Sequence, residues 1–241
     1  MQNRVAIQSY KVLDTQLLSN DVYRVILKPM EGYVPEYHAG QYLLIHLPDH
    51  QVSAFSIASA PTACQSTLEL HIQKLVDREN SIKLFDLLQQ GQIQASLANG
   101  LCHLGKVPDR PLTFVAAGTG FAQMKSMIEH CQNIQHTHSL NLYWGARSPS
   151  DFYLPNLPVQ WSTCGLRYHP VASEATELDD WNGRHGLLYE ALIADKELLV
   201  NSEIFISGSP NMVYATLDAL VVDGFDQNTI HSDVFEYAPR S

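Results

Sequence analysis

The chain has no apolar run approaching the ~20 residues that a bilayer-spanning helix requires. Its opening, Met1-Gln2-Asn3-Arg4-Val5, carries one Arg with no long apolar stretch behind it, so no secretory leader is expected. Positive charge is also scarce: 15 Lys and Arg face 25 Asp and Glu, for a net charge of −10. That balance argues against a nucleic-acid backbone or an anionic lipid surface as the main partner. A nucleotide is not excluded, because backbone N–H groups can hold phosphates without basic side chains. Cysteine is sparse and dispersed. Cys64, Cys102, Cys131 and Cys164 form none of the close pairs that zinc ribbons and iron–sulfur centres use. A four-cysteine secreted scaffold is usually much shorter than 241 residues. Reduced thiols in a cytoplasmic protein are therefore expected.

What is present is an ordinary globular composition, 45% hydrophobic and 17% charged, too apolar and too little charged for a disordered chain. The first hundred residues read as β-rich. Val5–Val12, Asp21–Lys28, Gln41–Leu47, Ala54–Ala58 and Thr67–Gln73 are short apolar or alternating runs separated by Pro, Gly, Asp and Ser. This is the pattern of a small antiparallel barrel or sandwich. Ser81–Leu88 has apolar residues at helical spacing, with Gly91 beyond its end.

After Gly105 the pattern changes. Leu112–Ala117, Leu140–Trp144 and Glu203–Ser207 are short apolar runs suited to strands buried on both faces. Helical stretches follow from Phe121 to about Cys131, over Gly186–Ala194 and over Pro210–Val222, and Thr229–Phe235 reads as a closing strand. Alternating strands and helices imply a parallel sheet covered by helices. The expected division is residues 1–105 and 106–241, with Pro108 and Pro111 near the break. The acidic stretch Ser173–Asp180 is expected to be an exposed loop.

Three segments carry chemistry. Gly118-Thr119-Gly120 lies between a buried strand and a helix, where small residues let backbone N–H groups approach a pyrophosphate. Alone it is weak, since it completes neither G-x-G-x-x-G nor a Walker loop, and a plain strand–helix turn explains it as well. Ser207-Gly208-Ser209-Pro210 is a second such turn, and Pro210 suits a first helical position. Two glycine turns at the carboxyl ends of parallel strands face one crevice, where open sheets bind ligands. Phe55-Ser56-Ile57-Ala58 places a hydroxyl between bulky neighbours at a strand end. By itself such a serine more often bonds backbone or water. His136 and His138 have no further ligands at metal-binding spacing, and no metal site is expected.

Taken in order, Phe55-Ser56-Ile57-Ala58-Ser59, Gly118-Thr119-Gly120, Tyr143-Trp144-Gly145-Ala146-Arg147 with Asp151 and Tyr153, Gly208-Ser209-Pro210-Asn211-Met212, and His231-Ser232-Asp233-Val234-Phe235-Glu236-Tyr237 resemble the ferredoxin–NADP reductase superfamily. The branch most similar is the bacterial NAD(P)H–flavin reductases, including those that supply bioluminescence with reduced flavin. The resemblance implies a two-domain β plus α/β fold: an N-terminal six-stranded antiparallel barrel for the flavin and a C-terminal parallel-sheet domain for NADH or NADPH. It implies that Phe55, Ser56, Ile57 and Ala58 line the flavin ring, with Ser56 near N5, and that Gly118, Thr119 and Gly120 cradle the dinucleotide. Ser207, Gly208 and Pro210 would lie near the nicotinamide, Arg147 at the adenosine end, and Asp233 and Phe235 beside the flavin. Ser56 and Asp233 are the implied catalytic pair.

Two departures from the family pattern matter. Its flavin-phosphate Arg is replaced by Ser53, and no Arg or Lys occurs in Leu43–Gln73. Losing a charge-assisted contact of about 1.5–3 kcal/mol weakens flavin binding by roughly 10–100-fold. An exchangeable flavin (riboflavin, FMN or FAD) is therefore expected, with a flavin-using monooxygenase or luciferase as the downstream user. The Cys that many relatives carry before the second glycine turn is Ser207. One alternative is a FAD-retaining reductase component serving an oxygenase or ferredoxin. The other is a nucleotide-binding module that has lost flavin chemistry.

Overall fold

The computed structural model describes residues 6–240, so the start-of-chain reading at Met1–Val5 lies outside the described residues. Six strands build a first, antiparallel sheet: β1 (Ile7–Leu17), β2 (Val22–Pro29), β3 (Tyr42–His46), β4 (Val52–Ser56), β5 (Leu68–Gln73) and β6 (Gln92–Asn99). Their order is β4-β3-β6-β1-β2-β5. Period-two patterning drives it: in β3, Leu43 and Ile45 are buried while Tyr42, Leu44 and His46 are only partly so. The two outer strands are drawn together where Ile57 bridges Leu70 and the Ala58 N–H donates to the Glu69 carbonyl at 2.8 Å. The curled sheet encloses a core of Tyr10, Val25, Leu27, Ile45, Leu70 and their neighbours, closed by Leu84, Phe85 and Leu88 of α1 (Glu79–Gln90). The α1 helix ends at Gly91, whose φ of 81° places it in the left-handed region that terminates helices.

Six parallel strands form the second sheet: β7 (Leu112–Ala117), β8 (Leu140–Ala146), β9 (Leu166–Ala172), β10 (Arg184–His185), β11 (Glu203–Ser207) and β12 (Ile230–His231). The order is β10-β9-β8-β7-β11-β12. Six helices accompany it: α2 (Phe121–Asn133), α3 (Asn156–Ser162), α4 (Leu188–Ala194), α5 (Lys196–Leu199), α6 (Pro210–Val222) and α7 (Val234–Tyr237). Leu112, Phe114 and Ala116 pack on the face covered by α2 and α3, whereas Val115 joins α4 and α6 on the other. Burial on both faces is why β7 is apolar except at Thr113, whose buried hydroxyl donates to the Ser202 hydroxyl at 3.0 Å. Val22, Ala39, Cys102 and Leu104 from the first half belong to the same buried cluster as Phe114 and Phe121, so the two sheets share a packed seam.

Several elements differ from expectation or escape it, the short α3, β10 and α5 among them. The sequence Gln92–Asn99 forms β6, in the middle of the first sheet. The sequence Leu166–Ala172 forms β9 despite Pro170. The predicted strand Thr229–Phe235 is a two-residue strand, Ile230–His231, followed by the helical turn α7. Among the described residues no helix is long and apolar enough to cross a membrane.

Candidate functional site

Strand order reverses at β7: its successor β8 lies on one side and β11 on the other. Loops leaving such a pair diverge and open a crevice at the carboxyl ends of the strands. Gly118–Gly120 leaves β7 and Gly208-Ser209 leaves β11, so both glycine turns meet there. Their glycines have different reasons. Gly118 has φ +53°, and a methyl on it would meet no atom within 4 Å. It faces open space. A methyl on Gly120 would overlap the Ser207 carbonyl, with the carbonyl carbon 2.6 Å away, and one on Gly208 would fall 3.1 Å from the Ala117 Cβ. These two let the turns pack against one another. Beyond the second turn, the Ser209 hydroxyl caps α6 by accepting from the Met212 N–H at 3.4 Å, and Pro210 occupies the first helical turn.

Two adjoining cavities open here. The larger, about 820 Å³, lies between the barrel and the crevice and is lined by Tyr42, Phe55, Ser56, Gly118–Gly120, Ser207, Gly208, Asp233 and Tyr237, among others. The smaller, about 550 Å³, lies over the α/β sheet and is lined by Gly118, Thr119, Arg147, Asp151, Tyr153 and Asn211, among others. They share Gln73, Ala117, Gly118, Thr119 and Ser209, and thus form one cleft with two arms. Among the described residues no Lys or Arg lines the larger arm, and Arg147, exposed at the rim, is the sole basic side chain of the smaller.

Most of the sequence-derived candidates converge on this cleft, but four do not line it. Ile57 and Ala58 are fully buried, and their N–H groups are committed to the Gln41 and Glu69 carbonyls, because this strand end closes the barrel. Pro210 serves the start of α6. Phe235 packs against Tyr214, with ring centroids 5.7 Å apart, in the core beneath α6. In a strand, Asp233, Phe235 and Tyr237 would share one face; in the helical turn actually formed, Tyr237 is grouped with Asp233 and Val234 instead. The aromatic side chain that the C-terminal turn brings to the cleft is thus Tyr237.

Ser56 pairs with Tyr42 across β3 and β4, which sets its hydroxyl at the barrel's rim. Asp233 sits close to Tyr42 across Gly100, where a methyl would lie 2.9 Å from both the Asp233 carboxylate and the Tyr42 ring. The Asp233 oxygens accept from the Cys102 N–H at 3.0 Å and from Gln123 Nε2 at 2.9 Å. Burial raises the Asp233 pKa above the ordinary value, and these two hydrogen bonds only partly offset it. Gln123 Nε2 also reaches the Gly40 carbonyl at 2.8 Å and the Cys102 carbonyl at 3.1 Å, so one amide ties α2 to the barrel and to the C-terminal turn. Sequence reasoning missed Gln123, Gln73 and His71, which are single polar residues inside ordinary elements. His136 and His138 lie at the opposite end of the sheet, before β8, where His138 meets Asp109 at 2.9 Å.

Residues 114–218 match the model of the oxidoreductase NAD-binding domain. The NAD(P)H-flavin reductase of Vibrio harveyi is 32% identical over 212 residues, covering 85% of this chain and 88% of that protein. The terephthalate 1,2-dioxygenase reductase component 1 of Comamonas sp is 29% identical over 231 residues, covering 95% of this chain and 68% of the relative. Among solved structures, a ferredoxin NADP+ reductase from Neisseria gonorrhoeae with bound FAD and NADP superposes with a TM-score of 0.79 at 23% identity, covering 94% of this chain and 97% of that one.

Proposed function

The chain belongs to the NAD(P)H–flavin reductases, within the ferredoxin–NADP reductase superfamily, and we propose that its larger cavity takes an exchangeable flavin and its smaller one NADH or NADPH. It is an oxidoreductase, an NAD(P)H:flavin reductase. The single observation carrying the assignment of the two arms is their shared wall: Gly118, Thr119 and Ser209 border both, so a ring in one arm faces a ring in the other. The residues present fit these groups. The larger arm has the volume and the aromatic and polar lining for a tricyclic ring. The open side of Gly118 precedes the thirteen-residue helix α2, whose N-terminus favours a pyrophosphate.

Once bound, the two cofactors supply the chemistry themselves, hydride passing from nicotinamide C4 to flavin N5. This chain's residues bind, orient and exclude water. In this reading the Ser56 hydroxyl holds the N5 edge of the flavin, and Tyr237 covers the mouth of its cavity. Gly118–Gly120 presents backbone to the dinucleotide, Ser207 and Gly208 border the nicotinamide, and Arg147 meets the adenosine end. Asp233 anchors the terminal turn and raises the local cost of negative charge. The division of labour falls near residue 105, with the barrel on one side and the α/β half on the other.

The absence of Lys and Arg around the larger cavity, among the described residues, supports flavin as a substrate that comes and goes. It also disfavours retained FAD in a reductase component. Reduced flavin then leaves for a flavin-using monooxygenase or luciferase, and the protein works in the cytoplasm. The test is spectrophotometric: NADH or NADPH oxidation with riboflavin, FMN and FAD in turn, by protein freed of flavin by gel filtration. Turnover of free flavin is expected, and Ser56→Ala is expected to lower it at least about tenfold through lost orientation of the ring. Protein that keeps stoichiometric FAD and reduces no free flavin would overturn the reading.

A further inference from the structure

One buried hydrogen bond joins both cavities and both halves of the molecule. His71, on β5, belongs to the wall of the larger cavity, and its ring is shielded from solvent. Tyr153, in the loop that follows β8, lines the smaller cavity and is 3% exposed. The Tyr153 hydroxyl lies 3.0 Å from His71 Nδ1, and Glu69 Oε1 lies 2.8 Å from His71 Nε2.

The charges around the pair decide which atom donates. Burial drives the Tyr153 pKa well above its ordinary value, so the phenol keeps its proton. Burial pushes the Glu69 carboxyl up, but the hydrogen bond from His71 and the nearby charges of Lys125 and Arg24 outweigh it, and its pKa falls below the ordinary carboxylate value. His71 is held neutral, chiefly by burial and further by Lys125 and Arg24, against the pull of Glu69. The imidazole therefore donates through Nε2 to Glu69 and accepts at Nδ1 from Tyr153. Glu69 is itself restrained: Lys125 on α2 lies 3.6 Å from it, and bonds the Ala58 carbonyl at 3.2 Å and Glu129 at 2.9 Å.

The chain of contacts continues to the dinucleotide turn. The Tyr153 ring stands edge-on to Phe121 and Trp144, which stack on each other at 3.8 Å. Phe121 is the first residue after Gly118–Gly120, and Trp144 Nε1 donates to the Gly118 carbonyl at 3.2 Å. Relative motion is the default for two halves of a chain unless the interface is large and apolar, and here the packed apolar seam is joined by this polar pair. An apolar pair would fill this space, whereas a satisfied polar network specifies one arrangement.

We propose that His71 and Tyr153 are a positioning pair, whose hydrogen bond fixes the spacing between the flavin cavity and the dinucleotide turn and so sets the rate of hydride transfer rather than the affinity for either partner. This rests on the assignment of the two arms above. The experiment mixes NADH anaerobically with protein saturated with riboflavin and follows a single turnover, with separate equilibrium titrations of riboflavin and NAD+. The variants are Tyr153→Phe, His71→Leu, the double variant, and His71→Asn, which keeps an acceptor oxygen near the Nδ1 position. Tyr153→Phe and His71→Leu should each slow reduction about tenfold, while both dissociation constants move less than about threefold, because misplacement of reacting groups lowers rate before binding. The double variant should be no slower than either single one, and His71→Asn should recover most of the rate. Wild-type reduction by folded Tyr153→Phe would overturn the proposal. So would a loss confined to the dissociation constants. If His71→Leu does not fold, Tyr153→Phe, which keeps the ring packing, decides alone. A wild-type protein inert toward every flavin would refute the functional reading itself, a result distinct from an active wild type whose Tyr153→Phe variant is equally fast.

Discussion

Gly120→Ala isolates the packing of the two glycine turns from the rest of the site. The residue's φ of −56° suits alanine, and in open surroundings the exchange would stabilise the protein by about 0.4–1 kcal/mol through a stiffer unfolded chain. Here the new methyl would sit 2.6 Å from the Ser207 carbonyl carbon and 3.1 Å from the Gly208 nitrogen, where ordinary contact begins at 3.4 Å. Both neighbours are backbone and do not yield by rotating a side chain. Overpacking of this kind costs about 1–3 kcal/mol, so the net loss is about 1–2 kcal/mol, or roughly 2–8 °C in Tm for a chain of this size. The turns must part by about 1 Å, and kcat/KM for NADH should fall by up to ~100-fold, as such misplacements do. Gly118→Ala is the companion. Its methyl meets nothing, and the φ of +53° imposes a strain of about 1–2 kcal/mol. It should therefore lose similar stability but act mainly on the KM for the dinucleotide, whose space the methyl enters. Thermal melting and steady-state kinetics of both variants read the contrast. Wild-type Tm and kcat/KM in Gly120→Ala would refute the argument that the turns are held by close approach.

Three further outcomes follow from the same geometry. Gln123→Met keeps the volume but leaves the Gly40 and Cys102 carbonyls without this donor and takes from the Asp233 carboxylate one of its two; urea unfolding should show a loss of about 2–4 kcal/mol, and a change below about 0.5 kcal/mol would count against the tie. Because burial holds the His71 pKa below its ordinary 6.5, the unfolded chain takes up a proton that the folded one refuses as pH falls; the stability contributed by neutral His71 is complete above pH 6.5 and is lost below it toward the folded pKa. Relative to His71→Asn, the wild-type stability curve should fall more steeply in that window, by at most about 1.4 kcal/mol per pH unit, and parallel curves would exclude His71 as the source. Ser53→Arg, two residues before Phe55 and on the same side of β4, should tighten FMN about tenfold while leaving riboflavin unchanged; equal effects on both flavins would show that no phosphate contact was gained.

The parts of the fold legible in the sequence are those where one physical constraint dominates. Leu112–Ala117 and Glu203–Ser207 are buried on both faces and bounded by glycine turns, and they emerge with the boundaries read from the sequence, as does Pro210–Val222, which opens on its proline. The element β6 was hidden because Gln94, Ala95, Ser96 and Ala98 have weak strand preference; its place between β1 and β3 is imposed by its neighbours. The element β9 was hidden by Arg167, His169 and Pro170, which are tolerated because its outer neighbour, β10, pairs with it over only two residues. At the C-terminus, alternation suggested a strand through Phe235, but the chain leaves the sheet after His231 and turns helically so that Asp233 reaches the Cys102 N–H and Gln123.

The candidate site shows the same division more sharply, because a motif groups residues that answer to different forces. Within Phe55-Ser56-Ile57-Ala58, the first two line the cleft and the last two close the barrel, so one motif serves two tasks. Within Gly118-Thr119-Gly120, one glycine leaves room for a ligand and the other leaves room for Ser207. A pattern of residue types cannot separate these, since glycine is the answer to both demands. The residues with no sequence signal, Gln123 and His71, are those that register one half of the molecule against the other. Their partners lie on other elements, from Gly40 and Cys102 to Tyr153 and Asp233. Hydride transfer depends on the meeting of two arms of one cleft, so the residues that hold the arms in register matter to the reaction as much as those that touch the rings.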